Sequence, residues 1–281
     1  MSIETVSTTK AHGGTLGVYK HASTATGTEM TFSVFVPPQA AAGAKLPVLL
    51  YLSGLTCTHA NVTDKGEYRR LCAELGLVFV APDTSPRGDG VADDAAGAYD
   101  FGLGAGFYVN ATQEPFAAHY RMWDYVSEEL PALLAENFPI DPTRMGITGH
   151  SMGGHGALTL GLTFPDKFKS LSAFAPIVAP GQVPWGHKAL GGYLGDDRAA
   201  WRAHDATALV EDGKRPAGAI LIDQGDADNF LAEQLRPELF AAACEHAGID
   251  LTLRLQPGYD HSYNFISTFM DDHLRWHAAR L

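Results

Sequence analysis

Cysteine is scarce in this chain of 281 residues: Cys57, Cys72 and Cys244 are the only three. An odd, widely spaced set builds neither a disulfide framework nor a thiolate metal site. No stretch reaches the roughly 18 consecutive apolar residues that a membrane-spanning helix needs. The first ten residues, MSIETVSTTK, lack the basic start and apolar run of a secretory signal. Together these absences predict a reduced, cytoplasmic protein with no membrane association. Basic residues are also short, with 20 Lys and Arg against 32 Asp and Glu, a formal charge of −12. Such a surface repels phosphate backbones, so nucleic acid is not an expected partner. Signatures of bound groups are missing as well. There is no HExxH, the Gly102–Gly106 run GLGAG follows no strand pattern, and no Walker lysine follows a glycine-rich loop. The expectation is chemistry carried by the chain alone, with no cofactor and no metal.

What the chain does have is a core. Hydrophobic residues make up 46% of it, enough for a packed interior. Eight runs read as strands: 16–19, 30–36, 48–52, 77–81, 145–148, 171–175, 219–223 and 251–255. Segments such as VLLYL, LVFVA and AILID place apolar side chains on both faces, as a parallel strand covered on both sides requires. Helical patterns fall between them, at 120–137 (with Pro131 predicting a kink), 153–164, 230–247 and 265–279. No helix separates the first two strands, which predicts an antiparallel hairpin at one edge of the sheet. The pattern implies an α/β fold. Its sheet is single, mostly parallel and of about eight strands, in one domain spanning residues 1–281. Two long stretches, 82–118 and 176–205, read as irregular. Their aromatics, including Tyr99, Phe101, Phe107, Tyr108 and Trp185, argue for ordered walls around a site.

Residues 149–153 read Gly-His-Ser-Met-Gly, after the strand MGIT and before a small-residue helical pattern. That is the strand–turn–helix setting in which a GxSxG serine acts as a nucleophile on an α/β-hydrolase sheet. Ser151 is therefore the candidate nucleophile. A serine hydroxyl needs a base, and the base needs an orienting acid. In this fold they follow in the order serine, acid, histidine. Of twelve histidines, His261 is best placed, in the loop GYDHSY between the last strand and the last helix. His273 and His277 lie within that helix, and His150 and His155 precede the acid. The acid belongs after AILID, where Asp223 is still in the strand; spacing does not choose between Asp226 and Asp228. The oxyanion hole needs two backbone N–H groups, expected from Met152 and from Leu55 in the loop SGLTC after the third strand.

The chain resembles the S-formylglutathione hydrolases, the esterase D family. The matching segments include LSGLTCT (52–58), APDTSPRG (81–88), DFGLGAGFYVNAT (100–112), GHSMGGHGAL (149–158), DQGDADNFL (223–231) and LQPGYDHSYNFI (255–266). The resemblance implies hydrolysis of S-formylglutathione to formate and glutathione, with side activity on short carboxylic esters, and a homodimer. It carries the acid to Asp228, the nucleophile to Ser151, the base to His261 and the oxyanion donors to Leu55 and Met152. A formyl group is small, so a tight acyl pocket is expected, with Trp185 and Phe107 as walls or glutathione contacts. Lys188 and Arg87 are the candidate cations for the glutathione carboxylates. Cys57, two residues past Leu55, is a candidate contact or reactive thiol, against a simple packing role.

Overall fold

The computed structural model describes residues 2–281. In chain order the elements are β1 (Glu4–Ala11), β2 (Gly14–Ala22), β3 (Glu29–Val36), β4 (Leu46–Leu52), α1 (His59–Lys65), α2 (Arg69–Leu75), β5 (Val78–Pro82), α3 (Met122–Asp124), α4 (Leu130–Asn137) and β6 (Ile140–Gly149). They continue with α5 (Met152–Thr163), β7 (Phe168–Phe174), α6 (Pro184–Leu194), α7 (Arg198–Arg202), α8 (Ala206–Glu211), β8 (Ile220–Gly225), α9 (Pro237–Ala247), β9 (Leu251–Gln256) and α10 (Tyr263–Ala278). Among the described residues, nine strands form one sheet in the order β1-β2-β3-β5-β4-β6-β7-β8-β9. β1, β2 and β3 form an antiparallel meander, β3 runs antiparallel to β5, and the rest is parallel.

The apolar runs occupy the centre. Every residue of β5 is buried, and in β4 only Pro47 is partly exposed. Alternation along β7 sends its side chains to opposite faces. Leu171 meets Gly161 of α5 on one side. Ser170 and Ser172 bond the imidazoles of His277 and His273 in α10 on the other. α5 and α10 therefore cover the two faces.

Four features depart from the sequence reading. β1 was not expected: its residues ETVSTTKA are nearly all exposed, so this edge strand carries no hydrophobic alternation. The helical segment expected over 120–137, with its kink at Pro131, begins only at Met122, and its irregularity is a π-helical turn at Tyr125–Glu129 just before that proline. Proline has no N–H to donate to the Ser127 carbonyl four residues back; Lys167 Nζ donates to that carbonyl instead. The helix expected over 230–247 breaks at Arg236, which is left-handed (φ 50°) ahead of Pro237 and so avoids the α region that a following proline disfavours. Finally, 176–205 is not irregular but carries α6 and α7. Its glycines and prolines mask a helix that tertiary packing holds by burying Trp185, Leu190 and Tyr193.

Candidate active site

The loops that leave the C-terminal ends of β4, β6, β8 and β9 converge, which is where open parallel sheets build sites. The β6 exit is a tight elbow. Ser151 sits at φ 59°, ψ −120°, immediately before α5, a strained backbone that only a surrounding structure can hold. Its N–H donates to the Phe174 carbonyl (3.0 Å), and its carbonyl accepts from His155 (2.9 Å). The flanking glycines are sterically required. A Cβ at Gly149 would lie 2.3 Å from the Gly153 carbonyl oxygen, and one at Gly153 only 1.9 Å from that of Leu52.

Asp228 stands after β8 with its side chain fully buried. Its Oδ1 accepts the Phe230 N–H (2.8 Å), and its Oδ2 accepts from Gln224 Nε2 (3.2 Å) and His261 Nδ1 (2.5 Å). Asp226 instead faces solvent and accepts the Gly258 N–H (2.7 Å), holding the loop that leads to His261. Asp223 is buried in β8 and accepts from Arg254, Gln256 and His273; these partners hold its carboxyl down at about 2 despite burial. The three carboxylates of this segment thus have three separate sets of partners.

Ser151 and His261 line one cavity of about 310 Å³. The His261 ring lies between His150 (centroids 4.3 Å apart) and Phe230 (5.1 Å, near perpendicular). Burial, and secondarily His261, push the His150 imidazole well below the usual histidine range, so it is neutral beside the site. Gly54, Leu55, Thr56 and Cys57 form the opposite lip. Thr56 N–H is spent on the Gly104 carbonyl (3.0 Å) and Cys57 N–H on that of Gly54 (3.3 Å), while Leu55 N–H has no protein acceptor among the described residues. Met152 opens α5, so its N–H has no carbonyl one turn back. The loop is fixed from beneath. Tyr108 Oη donates to the Ser53 carbonyl (2.8 Å), and Arg87, paired with Asp83 at 3.0 Å, reaches the Cys57 carbonyl (3.4 Å).

The remaining expected contacts divide. Trp185 and Cys57 line the cavity; Phe107 and Lys188 do not. Phe107 is fully buried behind α5, where its carbonyl accepts from His155 Nε2 (3.0 Å). Tyr99 and Phe230 stand in the wall instead: Trp185 Nε1 donates to Tyr99 Oη (3.3 Å), and its ring packs on Phe230 (4.7 Å). Lys188 is tied to Asp100 at 2.5 Å, and Arg87 supports the loop. Burial raises the Cys57 thiol above its ordinary value, which disfavours a reactive thiolate at neutral pH. Asn61 and Tyr263 also line the cavity. Neither is signalled by the sequence, since an Asn in a helix cap and a Tyr in a first helical turn are ordinary there.

An esterase family model, described as "Putative esterase", matches residues 23–276. The S-formylglutathione hydrolase of Paracoccus denitrificans is 54% identical over 281 residues, covering 100% of this chain and 99% of that protein. That of Mus musculus is 52% identical over 284 residues, with the same coverage. The chain belongs to the S-formylglutathione hydrolase family of esterases. A solved structure of a family member, an S-formylglutathione hydrolase from Agrobacterium tumefaciens, superposes with a TM-score of 0.96 at 58% identity and covers 99% of both chains. Family membership makes the chain a serine hydrolase on an α/β-hydrolase sheet, and its nine strands place it one above the count read from the sequence.

Proposed function

We propose that this enzyme hydrolyses S-formylglutathione to formate and glutathione, with Ser151 as nucleophile, His261 as base and Asp228 as the orienting acid. The observation that carries the reading is the 2.5 Å bond from His261 Nδ1 to Asp228 beside a strained serine in the same cavity. Asp228 accepts the Nδ1 proton and so leaves Nε2 as the basic nitrogen.

In this mechanism Ser151 Oγ bonds to the formyl carbon while its proton moves to His261 Nε2. The carbonyl π electrons become an oxyanion, held by the N–H groups of Leu55 and Met152. Collapse re-forms the carbonyl and breaks the carbon–sulfur bond; glutathione leaves with the proton from His261. Water then attacks the formyl-serine, gives its proton to His261, and formate departs as Ser151 regains a hydrogen. The neutral His150 does not repel the imidazolium that forms in each step. The aromatic wall of Tyr99, Trp185 and Phe230 limits the acyl side, which favours small acyl groups and extends activity to short esters. Three unpaired cysteines fit a reducing, cytoplasmic setting. A homodimer belongs to the same reading, and sedimentation would test it.

The decisive experiment compares kcat/KM for S-formylglutathione with that for short p-nitrophenyl esters. A clear preference for the thioester is expected; a preference for the esters would make the enzyme a general carboxylesterase instead.

A further inference from the structure

We propose that one face of α1 is the carboxylate-receiving edge of the site, with Lys65 Nζ and the side-chain amide of Asn61 binding a carboxylate of the glutathione moiety. The inference rests on the thioesterase reading and names the part of the enzyme that recognises its leaving group. S-formylglutathione carries two carboxylates and one ammonium, so it approaches as an anion. The chain carries −12, so its overall field opposes that approach, and a local cation is needed at the mouth. Among the described residues, no Asp or Glu lines the cavity. Of the cations around it, Arg87 is committed to Asp83 and Lys188 to Asp100. Lys65 is exposed and has no ion-pair partner among the described residues. Its Nζ stands 5.9 Å from the ring centroid of Tyr263, which lines the cavity.

Asn61 lies one turn before Lys65, on the same face of α1, and itself lines the cavity. Its Oδ1 is occupied by the Thr58 N–H (2.9 Å). That bond fixes the amide so that its acceptor faces the helix cap, while its NH₂ has no protein acceptor among the described residues. Two donors one turn apart, one of them charged, suit the two oxygens of a carboxylate. The aromatic wall of Tyr99, Trp185 and Phe230 offers no charge. The peptide arm of the substrate therefore lies over α1, and the acyl group points toward the aromatic wall.

The test compares the unaltered enzyme with Lys65→Ala, Lys65→Glu and Lys65→Arg, on S-formylglutathione and on the neutral ester p-nitrophenyl acetate. For Lys65→Ala, the ratio of kcat/KM for the thioester to that for the ester falls about tenfold, the scale of one charge-assisted contact at an exposed site. The loss lies in KM. Lys65→Glu falls further, Lys65→Arg recovers most of the ratio, and the effect shrinks as ionic strength rises. Inhibition by S-methylglutathione, which reports binding without turnover, weakens in parallel. If the unaltered enzyme turns over S-formylglutathione but the ratio and the inhibition are the same in all four proteins, the α1 site is wrong and the thioesterase reading stands. Equal losses on both substrates would reduce Lys65 to a structural role. No thioester turnover by the unaltered enzyme would remove both proposals.

Discussion

His261 Nδ1 and Asp228 Oδ2 meet across 2.5 Å, and the rest of the Asp228 carboxylate is filled by Phe230 N–H and Gln224 Nε2. The carboxylate is therefore fixed by its neighbours, and it holds the imidazole in turn. Asp228→Asn presents an amide to the same nitrogen and favours the tautomer with the proton on Nε2, where a base must have none. The expected outcome is a loss of about 10⁴-fold in kcat with KM nearly unchanged. Asp226→Asn keeps an acceptor for Gly258 N–H and should stay near the unaltered rate. Steady-state kinetics of the two variants decide the assignment, and a severe loss in Asp226→Asn with a mild one in Asp228→Asn would reverse it.

Ser151→Ala should lose about 10⁶-fold in kcat, because the nucleophile and its base act as one unit. Its melting temperature should barely move, since the Ser151 hydroxyl has no protein hydrogen-bond partner among the described residues and the elbow is pinned through backbone atoms. A serine-directed fluorophosphonate should label the unaltered enzyme and fail on the variant. Substantial turnover or labelling of Ser151→Ala would remove the serine from the mechanism.

Much of this site is legible in the sequence because each step of the chemistry demands a rare residue in a recognisable setting. Ser151 announces itself through glycines that a Cβ would drive into the Gly153 and Leu52 carbonyls. His261 does so through its place between the last strand and the last helix. The acid is less legible: spacing leaves Asp226 and Asp228 open, the family resemblance alone points to Asp228, and burial and hydrogen-bond partners are what distinguish the two in the fold. The pocket wall is least legible. Phe107 and Trp185 both lie in aromatic, glycine-rich stretches, yet one packs behind α5 and the other faces the cavity. Long-range packing decides between them, and periodicity does not reach that far. The edge strand β1 escapes for a related reason, since an exposed strand has no buried face to write into its sequence.

Gly54 tests the oxyanion lip. A Cβ there would lie 3.1 Å from Ser151 Cβ and 3.2 Å from the His150 carbonyl oxygen. Gly54→Ala therefore crowds Ser151 and the His150 carbonyl by a few tenths of an ångström, and the expected relief is a shift of the loop that carries Leu55 N–H away from the serine. Displacing one oxyanion donor typically costs about 10²–10³-fold in rate, and the loss should fall on kcat more than on KM because the contact is made mainly in the transition state. Parallel kinetics of Gly54→Ala on S-formylglutathione and a short ester should show the same loss on both. A change in KM alone would mean that the loop only shapes the pocket.

The buried histidines set the acid limit of the fold. Burial pushes the imidazole of His155 down to about 3 and that of His204 to about 4, against about 6.5 in an unfolded chain. Between those values the unfolded state binds protons that the folded state refuses, so stability rises with pH. Their neutral burial is therefore without penalty above about 6.5 and weighs against the fold increasingly as pH falls toward 4 and then 3. Each such group adds a slope of up to about 1.4 kcal/mol per pH unit. Asp223, held at about 2, adds its own loss only below about 4. His155→Gln keeps an N–H for the Phe107 carbonyl that His155 Nε2 now meets at 3.0 Å, but it removes the titration. Urea denaturation from pH 7 to pH 4.5 should show the variant losing less stability per pH unit than the unaltered enzyme, by roughly one proton's slope. Identical slopes would mean that His155 is not the neutral, buried group that its hydrogen bond and position under Phe107 make it.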